Sequence, residues 1–333
     1  MAATAGRLMV MQSSRHWARI GESSFVLGMW LLYGVHRVLG RLPFRLCLYP
    51  VVVWYWATRP LARRSSLEYL ARLQAAHGSV CAPGVQPGLR HSLRHFLSFA
   101  ETILDKMLAV SGRYRFEDVR FSGLEPVQAL MARGKGGVFV TAHVGCLELC
   151  RALADRSPGL HLNVLVHTRH AERFNAMLRR LDPRSGVQLL QVSEFDASTA
   201  ALLAQKLKVG EFVAIAGDRV PVTRSKIARV PFLGHEADFP VGPYVLAALL
   251  QCPLILLGCV REGRAHTVNF ELLAEHVVLP RGERDAALAA YAAEFAQRLE
   301  RLLQRAPYEW FNFFSFWAPM QPAPPVHEQR TAH

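Results

Sequence analysis

His143 follows the apolar run VFVTA and precedes CLELCRALADR, where a strand pattern hands over to a helix pattern. In open α/β sheets ligands bind outside the carboxyl ends of strands, so an imidazole at this point is placed to meet one. Glu148 comes five residues after His143, in the first turns of the expected helix, close enough to fold back onto the ring. A carboxylate that holds one imidazole nitrogen as N–H leaves the other free to accept a proton, which is general-base chemistry. Two more runs end on polar groups in the same manner: LNVLVHT on Arg169, and FVAIAG on Asp218 and Arg219. Taken singly, each is an ion pair at a loop as readily as a functional group. Together they describe a pocket with a base, a carboxylate and two guanidinium groups, suited to negative charge on a tetrahedral intermediate or on a phosphorylated substrate. His143, Cys146 and Cys150 also spell HxxCxxxC, a metal-ligand spacing. No second ligand cluster accompanies it, and Leu147, Leu149 and Leu153 mark a packed helix, so no metal is expected.

Placing these groups at strand ends requires a sheet, and the pattern supplies one. From Arg115 onward, FEDVRF, VFVTA, LNVLVH, VQLLQV and FVAIAG read as strands. Between them PVQALMARG, CLELCRALADR, ERFNAMLRRLD and ASTAALLAQKL read as helices. Short apolar runs separated by helices predict an α/β fold with a mixed, largely parallel sheet covered on both faces. The C-terminal part adds a helix after FPVGP, paired strands around LILLGCV and HTVNFELL, a helix from Arg284 to Gln304, and the aromatic run WFNFFSFW. That last run reads as core or membrane contact. Upstream, a helical stretch ends near Gln74, CAPGVQPG makes a turn, and Leu89, Leu93, Phe96, Leu97, Ala100, Ile103, Leu104 and Met107 mark one long amphipathic helix.

The chain has 333 residues, 51% of them hydrophobic, and a formal charge of +13. That charge points to an anionic partner: nucleic acid, an anionic lipid surface or an acidic carrier protein. The arginines are scattered and the densest aromatic runs sit in apolar company, which argues against nucleic acid. Six cysteines without a CxxC pair fit a reducing compartment, and no cleaved signal peptide is expected. FVLGMWLLYGV and LCLYPVVVWYWA are each shorter than the roughly 20 residues that span a bilayer. Arginines lie before (Arg15, Arg19), between (Arg37, Arg41, Arg45) and after them (Arg59, Arg63, Arg64), with Trp30, Tyr33, Trp54, Tyr55 and Trp56 suited to the headgroup level. This pattern predicts a monotopic or re-entrant anchor with both ends cytoplasmic; a core helix pair and a single tilted span are the other readings.

The run TAHVGCLELC resembles the Hxxxx(D/E) motif of the lysophospholipid acyltransferase superfamily. Most of the chain is similar to its bacterial lipid A late acyltransferase (lauroyl/myristoyl transferase) branch. The likeness extends over the basic anchor, HSLRHFLSFAETILDKML, VHTRHAERFN with Arg169, AGDR with Asp218, and VPFLGHEADFPVGPYVLAAL. The resemblance implies a glycerol-3-phosphate acyltransferase-like fold. It also implies transfer of a fatty or polyene-type acyl chain from an acyl carrier protein or coenzyme A thioester to a hydroxyl of a lipid. His143 would be the base, Glu148 its orienting acid, and Arg169, Asp218 and Arg219 would bind substrate; neither metal nor other cofactor is implied. The setting would be the cytoplasmic face of a bacterial inner membrane. Ala142 stands where lipid A enzymes carry Asn, which leaves the acceptor open. A non-catalytic, membrane-docked lipid- or carrier-binding protein of the same fold is the alternative. The expected organisation is an anchor over 1–60, an acyltransferase domain over 61–320 and a disordered tail over 321–333.

Overall fold

The computed structural model describes residue 28 and residues 30–150, 160–166, 187–191, 197–220, 226–263 and 265–317. After a helical stretch over 30–39, three long helices follow: α1 (Arg41–Thr58), α2 (Pro60–His77) and α3 (Leu89–Val110). Then follow β1 (Val119–Ser122), α4 (Glu125–Ala132), β2 (Val138–Thr141), β3 (Leu162–Val166), β4 (Val187–Gln191), α5 (Ala197–Lys208) and β5 (Phe212–Ala216). The chain closes with β6 (Ile227–Phe232), β7 (His235–Pro240), α6 (Gly242–Leu250), β8 (Leu254–Glu262), β9 (Ala265–Ala274) and α7 (Arg284–Arg305). The strand, helix and paired-strand expectations for these segments hold. Two adjustments are local: FEDVRF opens as a 3₁₀ turn, Phe116–Asp118, before β1, and β6 with β7 forms an antiparallel hairpin that the pattern alone did not separate.

The main sheet has seven strands in the order β1, β9, β8, β2, β5, β3, β4, parallel throughout except for the β8–β9 pair. Its central strands are apolar at almost every position because both faces are covered, and successive side chains alternate between two cores. Val138 and Val140 of β2, Val213 of β5, and Leu254 and Leu256 of β8 pack on one face with Phe295, Leu299 and Leu302 of α7. Phe139, Phe212, Ile255 and Leu257 point to the other face, beside Val127 of α4 and Ala109 of α3. There the Phe139 and Phe212 rings stack at 4.8 Å.

The N-terminal helices form a bundle against this body. Phe44, Leu48 and Val52 recur every four residues along α1 and bury against Phe96, Leu104 and Met107 of α3. The opposite face of α1 leaves Leu42, Leu46, Val53 and Trp54 exposed, next to exposed Val38 and Leu39. Among the described residues, no helix is long and apolar enough to cross a membrane. The expected helix ERFNAMLRRLD, most of CLELCRALADR, the first 27 residues and the tail after residue 317 lie outside the described residues.

Candidate active site

Pairing register brings the two principal groups together. β2 and β5 are parallel neighbours with Thr141 opposite Ala216, so the residues two positions further on, His143 and Asp218, leave the sheet side by side. The Asp218 carboxylate is buried and accepts three N–H groups. Its Oδ1 takes His143 Nδ1–H at 2.8 Å. Its Oδ2 takes the His143 backbone N–H at 2.9 Å and the Trp310 indole N–H at 2.9 Å. Burial pushes this carboxyl up, but the His143 imidazole and its N–H bonds, helped by Arg219, outweigh burial and hold it at about 2. An ionised carboxylate on Nδ1 fixes the tautomer in which Nε2 carries the free lone pair. The imidazole is 39% exposed, so that nitrogen is open to a substrate.

The carboxylate on the imidazole is therefore that of Asp218, which corrects the expectation for Glu148. Glu148 Oε1 instead accepts from Lys106 Nζ at 3.1 Å, and the Cys146 thiol donates to its Oε2 at 3.6 Å. Gly145 is the physical reason. It turns at φ +54°, and a Cβ there would lie 1.9 Å from the Cys259 carbonyl oxygen. Its N–H donates to the Glu309 carbonyl at 2.8 Å. The chain leaves this turn as a single 3₁₀ turn, Leu147–Cys150, packed on α3, rather than as the first turns of a helix under His143. Glu148 then meets the lysine of α3.

Of the other expected site residues, Arg219 lies beside Asp218, where its Nη2 donates to the Phe311 carbonyl at 3.1 Å and its guanidinium sits 5.7 Å from the Phe314 ring centre. Arg169 lies outside the described residues. Cys146 and Cys150 are buried, and burial pushes both thiols up, which disfavours the thiolates a metal needs. Among the described residues, no three His, Cys, Asp or Glu side chains are grouped to hold a metal ion.

The C-terminal strap is what sequence reasoning missed. Phe311 N–H donates to the His143 carbonyl at 2.9 Å, Val144 and Trp310 form an antiparallel bridge, and Glu309 holds Gly145. Trp310 is 1% exposed, edge-on to Tyr69 at 5.0 Å and to Phe316 at 4.9 Å. Its carbonyl accepts His95 Nε2–H at 2.7 Å, and His95 Nδ1 takes the Ser66 hydroxyl at 3.0 Å. The aromatic run WFNFFSFW thus braces the His143 segment and Asp218 from behind. The available signal was that a buried tryptophan N–H needs an acceptor.

The arrangement can take a proton from a hydroxyl at Nε2 and hold the resulting imidazolium against a buried carboxylate. No curated protein matches the chain. The family model of the bacterial lipid A biosynthesis acyltransferases, however, spans residues 93–318, from α3 through His143 and Asp218 to the strap, and the chain belongs to that acyltransferase family.

Proposed function

We propose that this membrane-associated acyltransferase moves a fatty acyl chain from an acyl carrier protein or coenzyme A thioester to a lipid hydroxyl, with His143 Nε2 as general base. The observation that carries this reading is the Nδ1–H bond of His143 to buried, ionised Asp218. In the proposed reaction the acceptor O–H gives its proton to Nε2 as its oxygen attacks the thioester carbonyl. The tetrahedral oxyanion then collapses, the C–S bond breaks, and the leaving thiolate takes the proton back from the imidazolium, so no other reactant is required. Arg219, and Arg169 by the family resemblance, supply positive charge for the oxyanion or for a phosphate on either substrate. Asp218 takes the orienting role, and Glu148 supports the motif segment through Lys106.

A chain charge of +13 suits an acidic carrier and an anionic leaflet. The exposed Leu42, Leu46 and Val53 of α1, near Arg37, Arg41, Arg59 and Arg64, suit shallow insertion at the cytoplasmic face of a bacterial inner membrane. Acyl lipids formed from acyl carrier protein and coenzyme A donors, with lipid A precursors and other hydroxylated lipids as acceptors, are to be measured by mass spectrometry. His143→Ala should lower turnover per folded molecule by about 10²- to 10⁴-fold, with a lower thermal melt because buried Asp218 loses its imidazole partner. Near-normal transfer by that variant would overturn the assignment of the base.

A further inference from the structure

We propose that Trp310 is a positioning residue: through its indole N–H on Asp218 it sets both the orientation and the basicity of the His143 imidazole. This inference rests on the reading of His143 as the base. Packing alone would explain an aromatic ring at this place, but not where its one donor points. The indole N–H meets Oδ2, the same oxygen that takes the His143 backbone N–H, while Oδ1 takes Nδ1–H. The carboxylate is thereby held from both ends and cannot rotate away from the ring.

The strap indexes all of these groups to one piece of backbone. Phe311 N–H holds the His143 carbonyl, and the Glu309 carbonyl holds Gly145 N–H. The Trp310 carbonyl is fixed by His95, which burial pushes down to about 4 and keeps neutral, and the Pro307 carbonyl is fixed by the Tyr69 hydroxyl at 2.8 Å. Among the described residues, the charged groups that act on Asp218 are His143 and Arg219. From the strap, the Glu309 carboxylate turns to Ser98 and Arg261 on the far side and does not face it. Among the described residues, Trp310 is therefore the neutral side-chain donor that shares Asp218 with the imidazole. By drawing charge from Oδ2 it weakens the pull of the carboxylate on the imidazolium, so that Nε2 gives up its proton to the leaving thiolate more readily.

The test uses the full-length protein in micelles, with Trp310→Phe and with β-(3-benzothienyl)alanine at position 310, which keeps the bicyclic shape and replaces N–H by sulfur. The pH dependence of carbethoxylation at His143 by diethyl pyrocarbonate, read by mass spectrometry of its peptide, follows the imidazole whether or not acyl transfer occurs. Loss of the indole N–H should move the acid limb of that profile to higher pH by about half to one unit. It should also lower kcat about tenfold with KM nearly unchanged. An acid limb that stays in place or moves to lower pH in the benzothienyl protein overturns the inference, whatever happens to the rate. Full transfer by His143→Ala would instead overturn the reading of the base and leave the carbethoxylation result standing.

Discussion

Asp218→Asn discriminates most sharply between the two carboxylates that could serve His143. Both donors at Oδ2, the His143 backbone N–H and the Trp310 indole, are fixed by main chain and packing, so the asparagine oxygen must occupy that position. Its NH₂ group then faces Nδ1, 2.8 Å away in the native protein, and the imidazole can answer only as an acceptor. The proton moves to Nε2 and the base is lost; a misplaced tautomer of this kind costs about 10⁴-fold in kcat. Stability falls as well. The carboxyl is held at about 2 against an ordinary 3.8, which corresponds to about 2 kcal/mol. Because the folded value is the depressed one, that contribution is present above pH ~4 and is lost as the pH falls toward ~2. Single-turnover transfer followed by mass spectrometry gives the rate, and circular dichroism melts give the stability. Glu148→Gln is the paired control, since it deprives Lys106 of its counter-charge and should lower the melt while turnover per folded molecule stays within about tenfold. If Asp218→Asn kept more than a tenth of native turnover while Glu148→Gln fell 100-fold, Glu148 would be the orienting acid and the geometric argument would fail.

Gly145→Ala should lose folded protein altogether in expression and melting trials. The added methyl meets the Cys259 carbonyl oxygen at 1.9 Å in a left-handed backbone conformation, a penalty on the order of 3 kcal/mol or more. Buried His95 is pushed down to about 4 from 6.5, so the unfolded chain binds a proton that the folded chain refuses. Stability from this group should therefore decline by about 3 kcal/mol as the pH falls from ~6.5 to ~4, and His95→Gln should flatten that part of the denaturation profile; parallel profiles would refute it. The pair Leu42→Asp and Leu46→Asp, both on the exposed face of α1, should weaken binding to anionic phospholipid vesicles about 100-fold with no change in the melt. Undiminished vesicle binding would rule that face out as the membrane contact.

The strands were legible because each is a short apolar run whose two faces are both covered, and the position of His143 was legible because it follows one of them. Its partner was harder to identify for a definite reason. Along the chain the nearest carboxylate to His143 is Glu148, but Asp218, 75 residues away, is nearest in space. That proximity comes from β5 entering the sheet next to β2, with Thr141 opposite Ala216. Strand order is a property of the whole chain, and no local spacing encodes it. The sequence does place Asp218 at the correct end of the sheet, and there it was read as a substrate ligand. The misplaced helix start has a similar cause. CLELC has helical spacing, but the turn before it is fixed by Gly145 bonded to the carbonyl of Glu309, near the far end of the chain.

The basic N-terminal helices and His143 are separate features of the sequence, yet α3 contacts the helices and reaches His143 through the strap. Glu101 of α3 takes Arg45 of α1 through two bonds of 3.0 Å, and Asp105 takes Arg41 at 3.2 Å. Those two arginines lie on the helix whose outer face carries Leu42 and Leu46. One to two turns earlier on the same helix, His95 holds the Trp310 carbonyl and Ser98 holds the Glu309 carboxylate. Arg261 at the end of β8 closes the link, bonding both Glu101 and Ser98. Buried charges in such a network are worth keeping only when every partner stays in place, because removal of one leaves the rest unpaired. The network thus ties the helix that would meet a membrane to the strap that aims Asp218 at His143. An acyltransferase of the proposed kind, with its acceptor in a bilayer, needs His143 at a fixed height above the lipid surface. One continuous helix bonded both to α1 and to the strap is a direct way to set that height.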